Sequence, residues 1–178
     1  MTPNPWYARL PRGACSPLLT SWLTEPTSLT ARCLRNSRAF RVRLLHFGKG
    51  RALADAGLAS PCLAQPAWVR EVALECDGVP VIFAHTTLAA SSRGRMRRWL
   101  ARLGSRSLGS LLFAYPGFRR GGIEFLRLDA RHPLYRRAQG LGEMPRCLWA
   151  RRSLHCLGSE QVLVTEVFLP AIERLSKA

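Results

Sequence analysis

Two charged side chains stand on faces that otherwise carry apolar residues. In Trp68-Val69-Arg70-Glu71-Val72-Ala73-Leu74-Glu75, period-two alternation groups Arg70 with Trp68, Val72 and Leu74, and puts Glu71 and Glu75 on the other face. A guanidinium on an apolar face is costly unless something neutralises it, so Arg70 asks for a carboxylate from the protein or from a ligand. Glu166 poses the converse question. In Val162-Leu163-Val164-Thr165-Glu166-Val167-Phe168 it shares a face with Val162, Val164 and Phe168, although the opposite face is also mostly apolar, as in a strand covered on both sides. Two readings are open from the pattern. Either the two charges form a structural ion pair or reach the sheet edge, or they are poles of a polar pocket in an apolar sheet, the usual form of a small-molecule site.

Other chemistry-bearing residues do not gather. Cys15, Cys33, Cys62, Cys76, Cys147 and Cys156 show no CxxC spacing, and His46, His85, His132 and His155 show no metal-ligand spacing. No metal site is expected, and the cysteines read as small core residues of a reduced, cytoplasmic protein. No run resembles a signal peptide or approaches the roughly 20 apolar residues needed to span a bilayer.

The 178 residues suit one domain with a real core, and 47% hydrophobic content fits a globular chain. A formal net charge of +16 favours anionic partners: nucleic acid, a membrane surface or a small anionic substrate. All the basic residues except Lys49 and Lys177 are arginines, a bias that coding composition alone can produce. Their densest group, Arg93 to Arg106, lies on an amphipathic helix whose other face is Met96, Trp99, Leu100 and Leu103, which reads as a solvated face. No aromatic platform interleaves with it and no helix-turn-helix or zinc-finger signature is present, so no nucleic-acid partner is expected.

The elements that must position Arg70 and Glu166 follow from caps and turns. Residues 1–15 are expected to be a flexible arm, with Pro3, Pro5 and Pro11 among its first dozen residues. Residues 16–178 are expected to form the single domain. Ser16 can cap a short helix ending at Pro26, and Thr27 to Leu34 reads as a second; together they look like a cap. Arg38 to Phe47 alternates as a strand ending at Gly48, followed by a loop with a helical turn near Ala52 to Ala56. Asp77-Gly78 between Trp68–Cys76 and Val79–Thr87 signals a tight hairpin. Helices are expected over Ser92–Leu103, stopped by Gly104, and over Ser107–Phe113, then a strand over Gly122–Leu128 and a charged connector from Asp129 to Pro145. A closing hairpin joins Arg146–Cys156 to Gln161–Leu169. Hairpins without βαβ crossovers predict an α+β domain: one six-stranded antiparallel sheet with short helices packed on or across one face.

The run Trp68-Val69-Arg70-Glu71-Val72 with Cys76-Asp77-Gly78, the Ser107-Leu108-Gly109 turn with Leu112-Phe113, and Leu163-Val164-Thr165-Glu166-Val167-Phe168-Leu169-Pro170 resemble, in that order and from about Ser16 to Pro170, the chorismate pyruvate-lyase family. The resemblance implies a six-stranded antiparallel sheet whose short helices cover an internal ligand pocket. It also implies cofactor-independent conversion of chorismate to 4-hydroxybenzoate and pyruvate for ubiquinone biosynthesis. Carried over by position, it implies substrate-binding roles for Leu29, Arg70, Leu108 and Glu166, with Arg70 and Glu166 as catalytic residues. Leu29 stands where the family has a methionine. Arg70 would grip the ring carboxylate bidentately. Leu108 would offer its backbone N–H, or equally be plain core. Glu166 would hold the ring hydroxyl at the other end of the pocket rather than pair with Arg70, its pKa raised by burial unless a cation lies near.

An enclosed pocket of this kind implies product inhibition, with Ser16 to Leu34 as a gate. The basic surface would then attract a dianionic substrate, and a loose contact with an anionic membrane is compatible with it. A monomer is the default expectation. The alternatives are a non-catalytic effector module of related fold that binds a small aromatic acid, and a nucleic-acid binder marked by steep salt dependence.

Overall fold

Asp77 and Gly78 both adopt positive φ, 51° and 81°, the handedness a type I′ turn requires, and they join β2 (Ala67–Cys76) to β3 (Val79–Ala89). Asp77 also accepts the backbone N–H groups of Arg38 and Ala39 at 2.9 and 2.8 Å, which ties the same turn to the start of β1 (Phe40–Gly50). The computed structural model describes residues 5–63, 66–91, 95–109 and 117–175.

Two short helices precede β1. α1 (Pro17–Leu23) is capped by Ser16, whose Oγ accepts from the Leu19 N–H at 3.1 Å, with Pro17 in its first turn. α2 (Leu29–Arg35) is capped by Ser28. The remaining elements are α3 (Ala56–Ala59), α4 (Arg95–Leu103), β4 (Arg119–Asp129), α5 (Pro133–Ala138), β5 (Cys147–Leu157) and β6 (Glu160–Phe168), with 3₁₀ turns at Pro61–Leu63, Gln139–Leu141 and Pro170–Arg174. The strands form one antiparallel sheet of six in the order β1-β2-β3-β6-β5-β4, the architecture the hairpin signals imply.

Several boundaries differ from the sequence expectation for identifiable reasons. β1 runs through Gly48 to Gly50, because pairing of Gly48 with Val69 and Gly50 with Ala67 holds glycines that alone read as a stop. The helical turn expected at Ala52–Ala56 falls later, as α3. The charged connector contains α5, started by His132 Nδ1 accepting the Leu134 N–H at 3.2 Å, with Pro133 in its first turn. Its neighbouring arginines mask the stripe of Leu134, Tyr135 and Ala138 that it buries. Ser92 at the expected start of α4, and the expected helix beyond Gly109 with Leu112 and Phe113, lie outside the described residues.

Helices cover both faces of the sheet rather than one. On one face, Trp22, Leu23 and Leu29 of the cap pack on Val72, Ala84 and Phe168, and α4 lays Met96, Leu100 and Leu103 against Leu88, Val162 and Val164. On the other face, Trp6, α3 and α5 pack over Phe83, Val69 and Val167. This double cover is why β6 is apolar on both sides. Within the segment expected as a loose arm, Trp6 and Tyr7 are tied to the body of the protein. Trp6 is buried, its Nε1–H donates to Asp55 Oδ2 at 2.5 Å, and Tyr7 bridges Phe125 of β4. No helix among the described residues is long and apolar enough to cross a membrane.

Candidate active site

Cross-strand register brings Arg70 and Glu166 to one face. Arg70 lies opposite Thr86 and Thr86 opposite Val164, while Val72, Ala84 and Glu166 form the adjacent row. Two strand spacings separate the backbones of β2 and β6, roughly 10 Å. Between them, under α2 and the 105–109 loop, is a cavity lined by Leu29, Arg70, Leu108 and Glu166 together. All four sequence-predicted site residues therefore meet in one place.

Arg70 is buried, and among the described residues no carboxylate lies within ion-pair distance of it. Its Nη2 donates to the carbonyls of Gly104 and Arg106 at 2.9 and 2.8 Å. These belong to the turn that ends α4, where Gly104 takes a φ of +51° and helix carbonyls need donors. Its Nε, also buried, has no hydrogen-bond partner. Burial pulls the guanidinium down to about 10, so it stays charged at neutral pH. The result is a fixed, desolvated cation with an unused donor in a cavity.

Leu108 and Gly109 open a helical turn on the cavity wall. Thr30 and Ser107 share a 2.6 Å hydroxyl–hydroxyl hydrogen bond that ties α2 to this loop. A Cβ on Gly109 would meet Ser28 Oγ at 3.2 Å, so glycine permits the close approach. Leu29, the first residue of α2, is buried in the apolar wall.

Glu166 has a partner the sequence reading missed. Arg151, its neighbour on β5, donates from Nε to Glu166 Oε2 at 2.7 Å. Arg151 Nη1 donates to the carbonyls of Glu25 at 2.7 Å and Leu23 at 3.2 Å, so the same side chain holds the cap. Arg70 and Glu166 are thus not each other's counter-ion.

Arg120, Ser153 and His155 also line the cavity and were missed. The expected strand began at Gly122, but β4 starts at Arg119 and bulges: Arg120 lies opposite His155 and Ile123 opposite Ser153, so β4 has one residue more than β5. That extra residue inverts the alternation and turns Arg120 to the face of Ile123 and Phe125. Arg120 Nε donates to Ser153 Oγ at 3.2 Å, and Ser153 Oγ lies 3.0 Å from His155 Nε2. Because a guanidinium only donates, Ser153 accepts from Arg120, and the imidazole tautomer sets which of Ser153 and His155 donates in the second contact. Burial first, then Arg120 and Arg151, push His155 down to about 4, so the imidazole is neutral at neutral pH. Arg120 is itself lowered, by burial and then by Arg151, with Glu166 and Glu25 opposing. The available signal was parity: Arg151, Ser153 and His155 alternate on a strand whose partner carries Glu166.

Comparisons with known proteins identify the family of the chain. The family model described as "Chorismate lyase" matches residues 8–177. A "Probable chorismate pyruvate-lyase" of Dechloromonas aromatica (strain RCB) is 69% identical over 175 residues, covering 98% of this chain and 99% of the relative. One of the same name from Methylobacillus flagellatus is 44% identical over 156 residues, covering 86% and 88%. Among solved structures, the effector domain of PhnF from Mycobacterium smegmatis superposes with a TM-score of 0.55 at 18% identity, covering 81% of this chain and 89% of that one. The ligand-binding domain of a putative GntR-family regulator from Bordetella bronchiseptica gives 0.53 at 18%, covering 75% and 85%. At such identities these last two share the fold alone. Sequence similarity over nearly the whole length is decisive: the chain belongs to the chorismate lyase family, and is a lyase.

Proposed function

We propose that the protein eliminates pyruvate from chorismate to release 4-hydroxybenzoate, in the cytoplasm, as a step toward ubiquinone. The observation that carries this reading is Arg70, a buried cation with an unpartnered Nε and no carboxylate within ion-pair distance among the described residues, set opposite an ion-paired Glu166 across a cavity. A para-substituted ring with a carboxylate at one end and a hydroxyl at the other matches these two poles.

In the reaction the C3–O bond breaks, the hydrogen on C4 departs, and the enolpyruvate fragment gains a proton at its methylene carbon to become pyruvate. Aromatisation drives the step, so the protein's contribution is orientation and charge. Arg70 and the Leu108 N–H hold the ring carboxylate. Glu166 accepts the hydrogen bond of the C4 hydroxyl, and Leu29 closes the apolar wall. The cap is fastened by Arg151 to Leu23 and Glu25, by Arg120 to Pro26 (2.8 Å), and by Thr30 to Ser107. These contacts must open for exchange, which makes product release slow and product inhibitory.

The test is incubation of purified protein with chorismate, without added metal or cofactor. Stoichiometric 4-hydroxybenzoate and pyruvate are expected. Glu166→Gln separates its two roles: turnover slowed by about two orders of magnitude or more marks proton transfer, whereas a raised KM with turnover retained marks positioning. Binding of 4-hydroxybenzoate without turnover would overturn the enzymatic reading in favour of an effector module.

A further inference from the structure

The charged residues around the cavity do not balance. Among the described residues lining it, Arg70, Arg120 and Arg151 face a single carboxylate, Glu166, an excess of two positive charges. Glu25, which acts on Arg120 from the cap, has its own partner in Arg32 at 3.2 Å. The excess is also divided in space: Arg70 lies at one pole, and Arg120 with Arg151 at the Glu166 pole. A ligand with one carboxylate answers only the first.

Resting on the proposed function, we infer that Arg120, backed by Arg151, is a second carboxylate subsite, which takes the enolpyruvyl carboxylate of the substrate and makes the enzyme selective for a 1,3-disposed dicarboxylate. The chemistry of the substrate fixes the location. With the ring carboxylate on Arg70 and the C4 hydroxyl on Glu166, the enolpyruvyl ether on C3 is adjacent to Glu166. With C3 turned toward β5 and β4, the side that carries the excess charge, its carboxylate lies beside Arg151 and Arg120.

The site is also built rather than incidental. Arg120 reaches the cavity only because of the one-residue bulge at Gly121-Gly122. Its orientation is set by Ser153, which is oriented in turn by His155, both buried. Neutral His155 removes what would otherwise be a further cation beside it. The same arginine donates to Pro26 O in the cap linker, so an anion there contacts a residue that also fastens the cap.

The test compares two probes that are already aromatic and have no enolpyruvyl group to eliminate: 3-carboxymethoxy-4-hydroxybenzoate, which has both carboxylates, and 3-methoxy-4-hydroxybenzoate, which lacks the second. Isothermal calorimetry on the wild type should show the dicarboxylate binding at least tenfold more tightly. In Arg120→Gln that advantage should vanish while affinity for 4-hydroxybenzoate stays within twofold, and KM for chorismate should rise at least tenfold. Arg120→Lys, which keeps the charge but not the Nε–H to Ser153, should retain part of the advantage. No preference for the dicarboxylate in the wild type, or a preference that survives Arg120→Gln, overturns the inference. The wild-type comparison decides even where the variants do not fold. If the wild type prefers the dicarboxylate but does not turn over chorismate, the subsite stands and the lyase reading falls; turnover without preference does the reverse.

Discussion

Arg151 and Glu166 are cross-strand neighbours on β5 and β6 and are joined by a 2.7 Å hydrogen bond between Nε and Oε2, with side-chain exposures of 2% and 16%. Removing one partner of such a pair leaves an uncompensated buried charge, at a cost of about 3–5 kcal/mol. We expect Arg151→Met to lower unfolding free energy by that order, and Arg151→Met/Glu166→Gln to recover at least half of it. Urea denaturation of the two variants checks this. A double variant as unstable as the single one would show that the cap carbonyls, not Glu166, are what Arg151 mainly stabilises.

Arg70 presents the opposite case. It is buried with no carboxylate beside it among the described residues, so its charge costs stability in the empty protein. Arg70→Met removes that cost but leaves the Gly104 and Arg106 carbonyls without their donor, so it should change thermal stability little, while abolishing the increase in Tm that 4-hydroxybenzoate gives the wild type. A variant that keeps the ligand-induced increase would remove Arg70 from the site.

Trp6 lies in the segment expected to be loose, yet it is 5% exposed, hydrogen-bonded to Asp55, and has the Arg152 guanidinium 4.5 Å from its ring centre. Trp6→Ala should cost about 3–5 kcal/mol, as for other buried aromatics. A change below about 0.5 kcal/mol, the size of surface substitutions, would restore the loose arm.

His155 links stability to pH. Its folded value is pushed down from 6.5 to about 4, so between these values the unfolded chain binds a proton that the folded one does not. The stability His155 confers is complete above pH 6.5, is lost as pH falls toward 4, and does not fall further below that. The full loss is about 3 kcal/mol at 1.36 kcal/mol per unit. Between pH 7 and pH 4.5, His155→Gln should therefore lose about 2 kcal/mol less stability than the wild type in urea titrations. Equal losses would mean that His155 is protonated in the folded protein.

The sequence carried the sheet well because its signals are local: Asp77-Gly78, the Ser16 cap, and period-two strands. Arg70 and Glu166 were legible for the same reason, as charges that break an apolar alternation. Arg151 was hidden by its neighbour. In Trp149-Ala150-Arg151-Arg152-Ser153 the adjacent arginines point to opposite faces, Arg151 into the cavity and Arg152 to Glu124 and Asp55 behind the sheet, and in a chain so rich in arginine the pair reads as surface. Arg120 was hidden by the bulge, because counting alternate residues back from Ile123 lands on Gly121 instead. Trp6 and α5 depend on tertiary burial that proline and charge obscure in the linear chain.

The order β1-β2-β3-β6-β5-β4 leaves β1 and β4 as outer strands. Open edges invite a second chain to continue the sheet, the first step toward aggregation. Along these edges stand Lys49 and the pair Arg41 and Arg43, which share the single carboxylate of Glu75, on β1, and exposed Arg119 and Arg127 on β4, while Tyr7 already occupies the middle of β4 through its bridge to Phe125. A like chain approaching either edge would set basic residue against basic residue. Part of the +16 charge thus acts as a barrier to self-association at the two places where an open sheet is most exposed to it.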